Sequence, residues 1–537
     1  MQVSCKLMVE KQNENILAEV SMLERTRRDY ETSVKDDLAR YAQAIESAVD
    51  GKNFQTAAEL MEQNWASAWF SLGPVKTSQI LHQLPHDVLR SQPVLGALRE
   101  MLTFSTSEDV DSSVFLTGID FSDTQQVQLL TLIRAGSYRL TGRITEALDQ
   151  LKQFDHQLGV MQPLIISPGG SELHVTVQIG VTAMLAGDFT QALASFTRAQ
   201  MHSTIPKFAF LTRDALVKSA LIHACFGNTT TAISLLKREQ HIKRTSSWVE
   251  RHIDAHRDLS LAILKSTDPE EALQTLQAIS LQDIGELWPF YIVALHRALE
   301  ASGHQDELEH QLEMFDSMEF PRRDGDGFSG SVIPLKRALL AMQSGRGAAA
   351  QEFLDRADQS FLYTQLLQAA AHVYAGRTQQ AIQDVTRLRA NTRGFRLLEI
   401  RRLAILAAAQ YQSNETEDCL DTLQRAREVP RGLSQHELIL FSPETRELAL
   451  KHVTGWPTDQ DCPSAFLTGL PRPGHALTDR EVEILQLLSQ DLTRAEMAEA
   501  MFISVNTLKT HLKSVYRKLQ VSTASDAVLG AQRRGLL

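Results

Sequence analysis

The sequence predicts an all-α protein: a long solenoid of paired helices followed by a small C-terminal helical domain. Three observations predict this. A turn-then-helix pattern recurs along much of the 537-residue chain, patterns typical of strands are nearly absent, and three helix starts are crowded together near the C-terminus. With 43% hydrophobic and 22% charged residues, the chain has a globular balance and is long enough for a large core.

The repeated element is a small or turn-forming residue, a few polar residues, and then the apolar residues of a new helix. From Gly142 onward its intervals are 45, 40, 41, 35, 42, 31 and 38 residues, enough for two helices and two turns each. The repeats start at Gly51, Gly142, Gly187, Gly227, Asp268, Gly303, Gly345, Gly376 and Asn414. The glycines are placed to end one helix in the left-handed conformation. Because one helix pair cannot bury both of its apolar faces, the pairs must stack into a solenoid.

Composition predicts four segments. Residues 1–46 read as a charged helical segment and residues 47–452 as the solenoid. Residues 453–475 contain four prolines and three glycines, which indicates a linker. Residues 476–537 form the C-terminal domain.

The C-terminal domain begins three helices in quick succession. Thr478 is followed three residues later by Glu481, and Thr493 by Glu496. In each pair the hydroxyl and the carboxylate would cap each other's free backbone amides. Ser504 supplies a third N-cap hydroxyl. The short turns between these starts predict a compact bundle.

The third of these helices has two different faces. Its core stripe consists of Leu508, Leu512, Val515 and Leu519. Its polar and basic face consists of Val505, Asn506, Lys509, Thr510, Lys513 and Arg517. A helix, a short turn and a capped helix with a polar first half form a helix-turn-helix, which places the second helix in the major groove of DNA. There, lysine would pair with guanine. The alternative is an ordinary solvated basic face.

The sequence LTDREVEILQLLSQDLTRAEMAEAMFISVNTLKTHLKSVYRKLQV, with the terminal RRGLL, resembles the LuxR-type (GerE-type) DNA-binding domain of bacterial transcription factors. The motifs LTxRE, EMA, SVNTLKTHL and YRKL occur in the order and spacing of that family. The resemblance implies that the groove is entered by Val505, Asn506, Lys509, Thr510 and Lys513. It implies phosphate-side positions for Thr507, His511 and Lys518. It also implies a fourth helix near 523–533, which in this family pairs two domains into a dimer.

The sequence departs from that family at two positions. Asp491 stands where the family usually has glycine after the first helix, and we expect it to adopt the left-handed conformation at some cost. Ala524 stands where the family usually has arginine, so no charge contact is expected there.

The repeats resemble the tetratricopeptide-like superhelix of MalT-type regulators. The similarity is carried by the segment GKNFQTAAELMEQNWASAWFSLGPVKTSQILHQLPHDVLRSQPVLGAL. Regulators of that type also carry an NTPase domain before the superhelix. Because this chain has no GxxxxGK[ST] motif, we expect no nucleotide switch.

Charge and cysteine usage limit the possible functions. The formal net charge is −11, and the segment from His475 carries eight Lys/Arg against seven Asp/Glu, so the remainder carries −12 and is not a nucleic-acid surface. Cys5, Cys225, Cys419 and Cys462 lie far apart without a CxxC pair, which favours a reducing cytoplasm. No apolar run reaches the ~18 residues of a membrane span.

The sequence offers only poor candidates for a metal-binding or ligand-binding site. His252 and His256 are four residues apart, but Ile253 stands where a zinc protease motif needs Glu, so we expect no metal site. Asp324 and Asp326 lie in a break of the repeats, from Phe320 to Gly330, that lacks the remaining ligands of a calcium loop and reads as a solvated loop. Four tryptophans of the repeats could floor a ligand groove, but core packing is the better interpretation.

The sequence therefore favours a bacterial transcription regulator without enzymatic activity or cofactor. A tetratricopeptide-like α-solenoid would bind a small-molecule or protein effector and control a four-helix LuxR-type domain. Its expected partners are double-stranded DNA, RNA polymerase and a second copy of the chain, in the cytoplasm and away from membranes. The alternative is a non-enzymatic helical-repeat adaptor whose C-terminal bundle mediates protein assembly, with a hydrolase a distant third.

Overall fold

The fold is known from a computed structural model that describes Glu19 and residues 37–63, 65–104, 124–160, 171–201, 206–265, 268–458, 477–490, 492–519, 521–533 and 536–537. Within these ranges the regular structure is α-helix with short 3-10 turns and no strand, which confirms the all-α prediction. The chain forms two compact units. The first consists of Ile16–Ser302 and Met318–Gly330, and the second includes Gly303–Ser317 and Ser331–Leu537.

The first unit consists of helices that follow one another along the chain. They are α1 (Asp37–Asp50), α2 (Phe54–Gln63), α3 (Trp65–Gln83), α4 (His86–Ser91), α5 (Pro93–Phe104), α6 (Thr124–Leu140), α7 (Ile144–Val160), α8 (Ser171–Ala186), α9 (Phe189–Met201), α10 (Ala209–Cys225), α11 (Thr229–Gln240), α12 (Glu250–Leu264), α13 (Pro269–Gln277), α14 (Leu281–Ile284) and α15 (Trp288–Ala301). Helices that are neighbours in sequence pack on each other, as in α6 with α7, α8 with α9 and α10 with α11. This is the pairwise packing of a solenoid.

The second unit continues the pairing and ends in the small C-terminal domain. Its helices are α16 (Gln305–Ser317), α17 (Gly327–Gln343), whose first turn falls in the first unit, α18 (Gly347–Asp355), α19 (Leu362–Ala375), α20 (Thr378–Arg387), α21 (Arg396–Gln412), α22 (Thr416–Arg427), α23 (Pro443–His452), α24 (Asp479–Leu488), α25 (Arg494–Ala500), α26 (Val505–Leu519) and α27 (Ala524–Arg533). The helix pairs end in a buried cluster in which Phe441 lies edge-on to Trp456. Most of the predicted linker 453–475, namely residues 459–475, lies outside the described residues.

The turns between paired helices use the left-handed residues that the repeats predict. Positive φ angles between 64° and 84° occur at Gly142, Gly187, Gly227, Gly303, Gly345, Gly376 and Asn414. The prediction is wrong at one repeat start, because after α1 the left-handed residue is Lys52 rather than Gly51. Asp268, the turn-forming residue of another repeat start, is the N-cap of α13, where its carboxylate accepts a hydrogen bond from the Glu271 amide at 3.1 Å.

The break from Phe320 to Gly330 packs on the α6–α7 turn, so its interpretation as a solvated loop is wrong for part of its length. The carboxylate of Asp326 accepts a hydrogen bond from the Thr145 amide at 2.9 Å, in the first turn of α7. A Cβ added to Gly142 would lie 2.4 Å from the backbone carbonyl carbon of Arg322. Asp324 is exposed. The lack of a side chain at Gly142 therefore allows the close approach of the segment, and the carboxylate of Asp326 bonds it to the start of α7.

The two histidines considered as metal ligands bond to backbone instead. His252 Nδ1 lies 2.8 Å from the carbonyl oxygen of Asp283, and His256 Nε2 lies 2.9 Å from that of Ile284. Burial, together with nearby Lys218, holds the pKa of His256 well below its ordinary value. Both histidines thus tie α12 to the end of α14. No cluster of three or more His, Cys, Asp or Glu suited to a metal ion occurs among the described residues.

Several aromatic side chains of the repeats, and Cys419, are packed in the interior or against neighbouring helices. Trp288 stacks on Phe320 with ring centroids 4.3 Å apart, and Trp248 donates its indole N–H to the Trp69 carbonyl at 2.9 Å. The Cys419 thiol donates to a backbone carbonyl, and burial raises the pKa of Cys419 to about 12. Nowhere in the described part of the chain is a helix both long and apolar enough to cross a bilayer.

Candidate nucleic-acid interface

Two capping boxes begin α24 and α25. Thr478 Oγ1 accepts a hydrogen bond from the Glu481 amide at 3.3 Å, and Glu481 Oε2 accepts one from the Thr478 amide at 2.8 Å. The corresponding distances at Thr493 and Glu496 are 3.4 Å and 2.7 Å. Each box satisfies two amides that a helix start leaves free, which fixes where both helices begin.

The start of α26 is fixed by its cap and by the preceding turn. Ser504 Oγ accepts a hydrogen bond from the Thr507 amide at 3.1 Å, and the two hydroxyl oxygens lie 2.8 Å apart. Before the cap, the Ile503 amide donates to the Ala498 carbonyl at 2.9 Å, closing the end of α25. The left-handed residue of this turn is Phe502, with φ 55°. The turn and the cap therefore give α26 a defined direction.

The core stripe of α26 determines which face points outward. Its buried residues are Leu508, Leu512, Val515 and Leu519. Leu508 and Leu512 join a cluster with Met497, while Val515 and Leu519 join one with Leu485. Because both clusters hold the same side of α26, the opposite side faces solvent.

The outward face of α26 is basic and polar. Its exposed residues are Val505, Asn506, Thr507, Lys509, Thr510, Lys513 and Arg517. The helix contains no acid, and none of Lys509, Lys513 and Arg517 forms an ion pair with another described residue. The Thr510 hydroxyl donates to the Asn506 carbonyl at 3.1 Å, which leaves its methyl group for other contacts. His511 is half-buried beside this face.

Lys518 differs from the other three cations of α26. Its ammonium lies 2.7 Å from Glu481 Oε2, and the side chains of Lys518 and Glu481 are only 14% and 5% exposed. Burial raises the pKa of Glu481, but hydrogen bonds from Lys518 and the Thr478 amide outweigh it and hold that pKa below its ordinary value. Lys518 thus joins α26 to the cap of α24, and we leave it out of the outward face.

Sequence reasoning missed Phe502, whose side chain is 96% exposed. The available signal was the apolar run from Met501 to Ile503, because a tight turn cannot bury three consecutive side chains. Asp491 lies outside the described residues. Ala524 is the exposed first residue of α27, and Thr523 Oγ1 accepts a hydrogen bond from the Asp526 amide at 3.0 Å before it.

Residues 475–531 match the family described as bacterial regulatory proteins, luxR family. The transcriptional regulatory protein LiaR of Bacillus subtilis is 40% identical over 65 residues, which are 12% of this chain and 31% of that protein. The transcriptional regulatory protein DegU of Brevibacillus brevis is 34% identical over 64 residues, or 12% and 27%. The response regulator protein VraR of Staphylococcus aureus is 38% identical over 61 residues, or 11% and 29%. The chain thus spans less than a third of the length of these relatives, and it carries a LuxR-family DNA-binding domain at its C-terminal end.

Proposed function

We propose that the chain is a bacterial transcription regulator that inserts α26 into the major groove of double-stranded DNA. The outward face of α26 carries this proposal. Three exposed cations stand there without an acid, on a helix whose direction is fixed by a cap, a turn and two core clusters. Phosphate neutralisation by such a face drives binding to DNA, and the first turns of the helix would read base edges.

The residues of the outward face divide by role. Val505, Asn506, Lys509, Thr510 and Lys513 would reach the groove floor. Lysine would donate to guanine O6 and N7, and asparagine would bond adenine. Arg517, Thr507 and His511 would contact phosphates and set the register of the helix on the duplex. We omit Lys518 because its ammonium is engaged by Glu481.

The helical repeats would supply control. We propose that residues 47–452 bind a small-molecule or protein effector that favours one arrangement of the stacked helices. Stacked helix pairs present extended surfaces suited to such binding. An effector changes the equilibrium between two arrangements of these helices only to the extent that it binds one more tightly than the other. The protein would act in the cytoplasm, without enzymatic activity, as a homodimer on DNA that contacts RNA polymerase.

The proposal is tested by capturing genomic fragments with the full chain and measuring affinity for them against salt. Binding to a preferred sequence should weaken steeply with salt, because each neutralised phosphate contributes about −0.9 to the logarithmic slope. Arg517→Ala, which removes a proposed phosphate contact, should lower both affinity and slope. Lys451→Ala is the matched control, because this lysine of the repeats pairs with Glu447.

The second candidate, an adaptor whose C-terminal bundle mediates protein assembly, predicts a different result. Such a bundle would show no preferred DNA sequence and no dependence on the cations of α26. Absence of salt-sensitive DNA binding, with proteins retained by residues 477–537, would favour the adaptor.

A further inference from the structure

Phe502 is the feature of the DNA-binding domain that the proposed function leaves unexplained. Its side chain is 96% exposed, and its φ of 55° lies in the left-handed region that bulky residues avoid. At the other left-handed positions among the described residues the chain uses glycine, or the polar residues Lys52, Asn414 and Arg431. An exposed aromatic ring on a strained backbone points to a function for the ring.

The turn prevents Phe502 from folding inward. Its amide donates to the Glu499 carbonyl at 3.0 Å, and the next amide, of Ile503, donates to the Ala498 carbonyl at 2.9 Å. Met501 on one side is buried and Ile503 on the other is half-buried, both in the core cluster with Leu508. With both neighbours anchored, the ring is held outward.

Val505 is a second exposed apolar residue, at the start of α26. It is the first residue of α26 and is 39% exposed, three residues after Phe502. We call Phe502 and Val505 together the apolar edge. The apolar edge lies at the N-terminal end of α26, beside the cations of the outward face. In a helix-turn-helix this end of the second helix enters the major groove. The neighbouring cations, Lys509 and Lys513, attract DNA to the same surface.

We propose that the apolar edge reads thymine by packing against its C5 methyl group, an inference that rests on the proposed function. Hydrocarbon side chains cannot exchange hydrogen bonds with base edges, and the thymine methyl is the apolar group that the major groove displays. If the apolar edge packed against the polar atoms of another base, those atoms would lose their hydrogen bonds to water and gain none from the protein. The preferred site therefore carries thymine opposite the start of α26.

The test uses the full chain and a preferred duplex obtained by selection from random sequences. Each thymine is replaced in turn by deoxyuridine, which differs only in lacking the C5 methyl. At one or two positions the affinity should fall about fourfold, the effect of one buried methyl group. Val505→Ala or Phe502→Gly should weaken binding to the thymine site and abolish the difference between thymine and deoxyuridine.

Phe502→Gly separates recognition from folding. Glycine adopts the left-handed conformation without strain, so the variant loses the ring while its turn becomes easier to form. Weaker binding by this variant cannot then come from a disrupted turn. Val75→Ala removes methyl groups from a valine in the repeats that is 70% exposed, and it should leave both affinity and thymine preference unchanged.

Three results would overturn the inference while leaving DNA binding intact. The first is equal affinity of the wild-type chain for thymine and deoxyuridine duplexes at every position. The second is that both variants of the edge keep the full difference. The third is that Phe502→Gly keeps its DNA affinity and loses only the capture of RNA polymerase, which would make the ring a protein contact. If selection yields no preferred duplex at all, the proposed function itself fails.

Discussion

The ammonium of Lys518 lies 2.7 Å from the carboxylate of Glu481, the same carboxylate that accepts a hydrogen bond from the Thr478 amide. One acidic side chain therefore closes the capping box of α24 and anchors the last turn of α26. The helix that carries the outward face, α26, is thus tied to the first helix of the domain, α24, by charge as well as by apolar packing. This relationship separates the cations of α26 into one that holds the domain together and three that face solvent.

Lys518→Ala should destabilise the C-terminal domain by roughly 1–3 kcal/mol, because it leaves a buried carboxylate without its charged partner. Hydrogen exchange of the α24 and α26 amides in the full chain would measure this. Lys518→Met is a matched variant that keeps most of the side-chain packing and removes the charge. Unchanged protection in both variants, with DNA affinity reduced for every sequence, would return Lys518 to the phosphate contacts that the family resemblance implies.

The same carboxylate gives the domain a pH dependence. Hydrogen bonds from Lys518 and Thr478 hold the pKa of Glu481 below its ordinary value of 4.5, despite its burial. A lowered pKa in the folded state contributes stability at neutral pH that is lost as the pH falls through that pKa. We expect α24 protection, corrected for intrinsic exchange, to fall below about pH 4.5 more steeply in the wild type than in Glu481→Gln. Parallel pH profiles would show that the carboxylate charge is not what stabilises the cap.

Lys509→Ala should affect sequence choice rather than general affinity, because its exposed ammonium lies on the outward face one turn beyond the start of α26. Removing a base contact should cost about 1–3 kcal/mol at the preferred site and far less on random DNA. Competition binding with both duplexes measures the two losses together. Equal losses on both would assign Lys509 to the phosphate backbone.

Local rules predicted much of the C-terminal domain. Hydroxyl-to-carboxylate spacing marked the starts of α24 and α25, and the 3.6-residue period separated the buried stripe of α26 from its basic face. Those signals lie within a few residues of each other in the sequence. The exposed Phe502 was missed because the helical period and the cap spacing do not cover a turn residue, and the apolar run from Met501 to Ile503 was the signal left unused.

Contacts between distant parts of the sequence were not predictable. The helical period placed Lys513 but not Lys518 on the basic face, yet nothing local indicated that Lys518 pairs with Glu481, 37 residues away. Likewise, Asp326 looked like a loop residue until the fold brought it to Thr145, 181 residues away. At Gly51 the repeat pattern identified the turn but not that the next residue, Lys52, takes the left-handed position.

Gly142→Ala should be far more destabilising than Gly303→Ala, although both glycines have nearly the same φ, 75° and 74°. Each substitution incurs the strain of an L residue in the left-handed region, about 1 kcal/mol. The added Cβ at Gly142 would also meet the Arg322 backbone at 2.4 Å, whereas nothing lies within 4 Å at Gly303. Hydrogen exchange around each turn compares the two costs. Similar losses would mean that the Phe320–Gly330 segment can move away without cost.

Arg213→Met should destabilise the first unit by about 3–5 kcal/mol, the cost of breaking a buried ion pair by removing one partner. The Arg213 side chain is 4% exposed and pairs with Glu239 of α11 and Glu250 of α12, which are 2% and 5% exposed. Arg346→Met is the matched control, because Arg346 pairs with Glu309 where both are nearly half exposed, and such pairs contribute at most about 1 kcal/mol.

Burial already raises the pKa of Glu250 above its ordinary value, against the opposing charge of Arg213. Without Arg213 that carboxyl should take up a proton nearer neutral pH, so the loss of stability in Arg213→Met should be smaller at pH 5 than at pH 8. Equal losses at both pH values would mean that solvent reaches Glu239 and Glu250 once the arginine is gone.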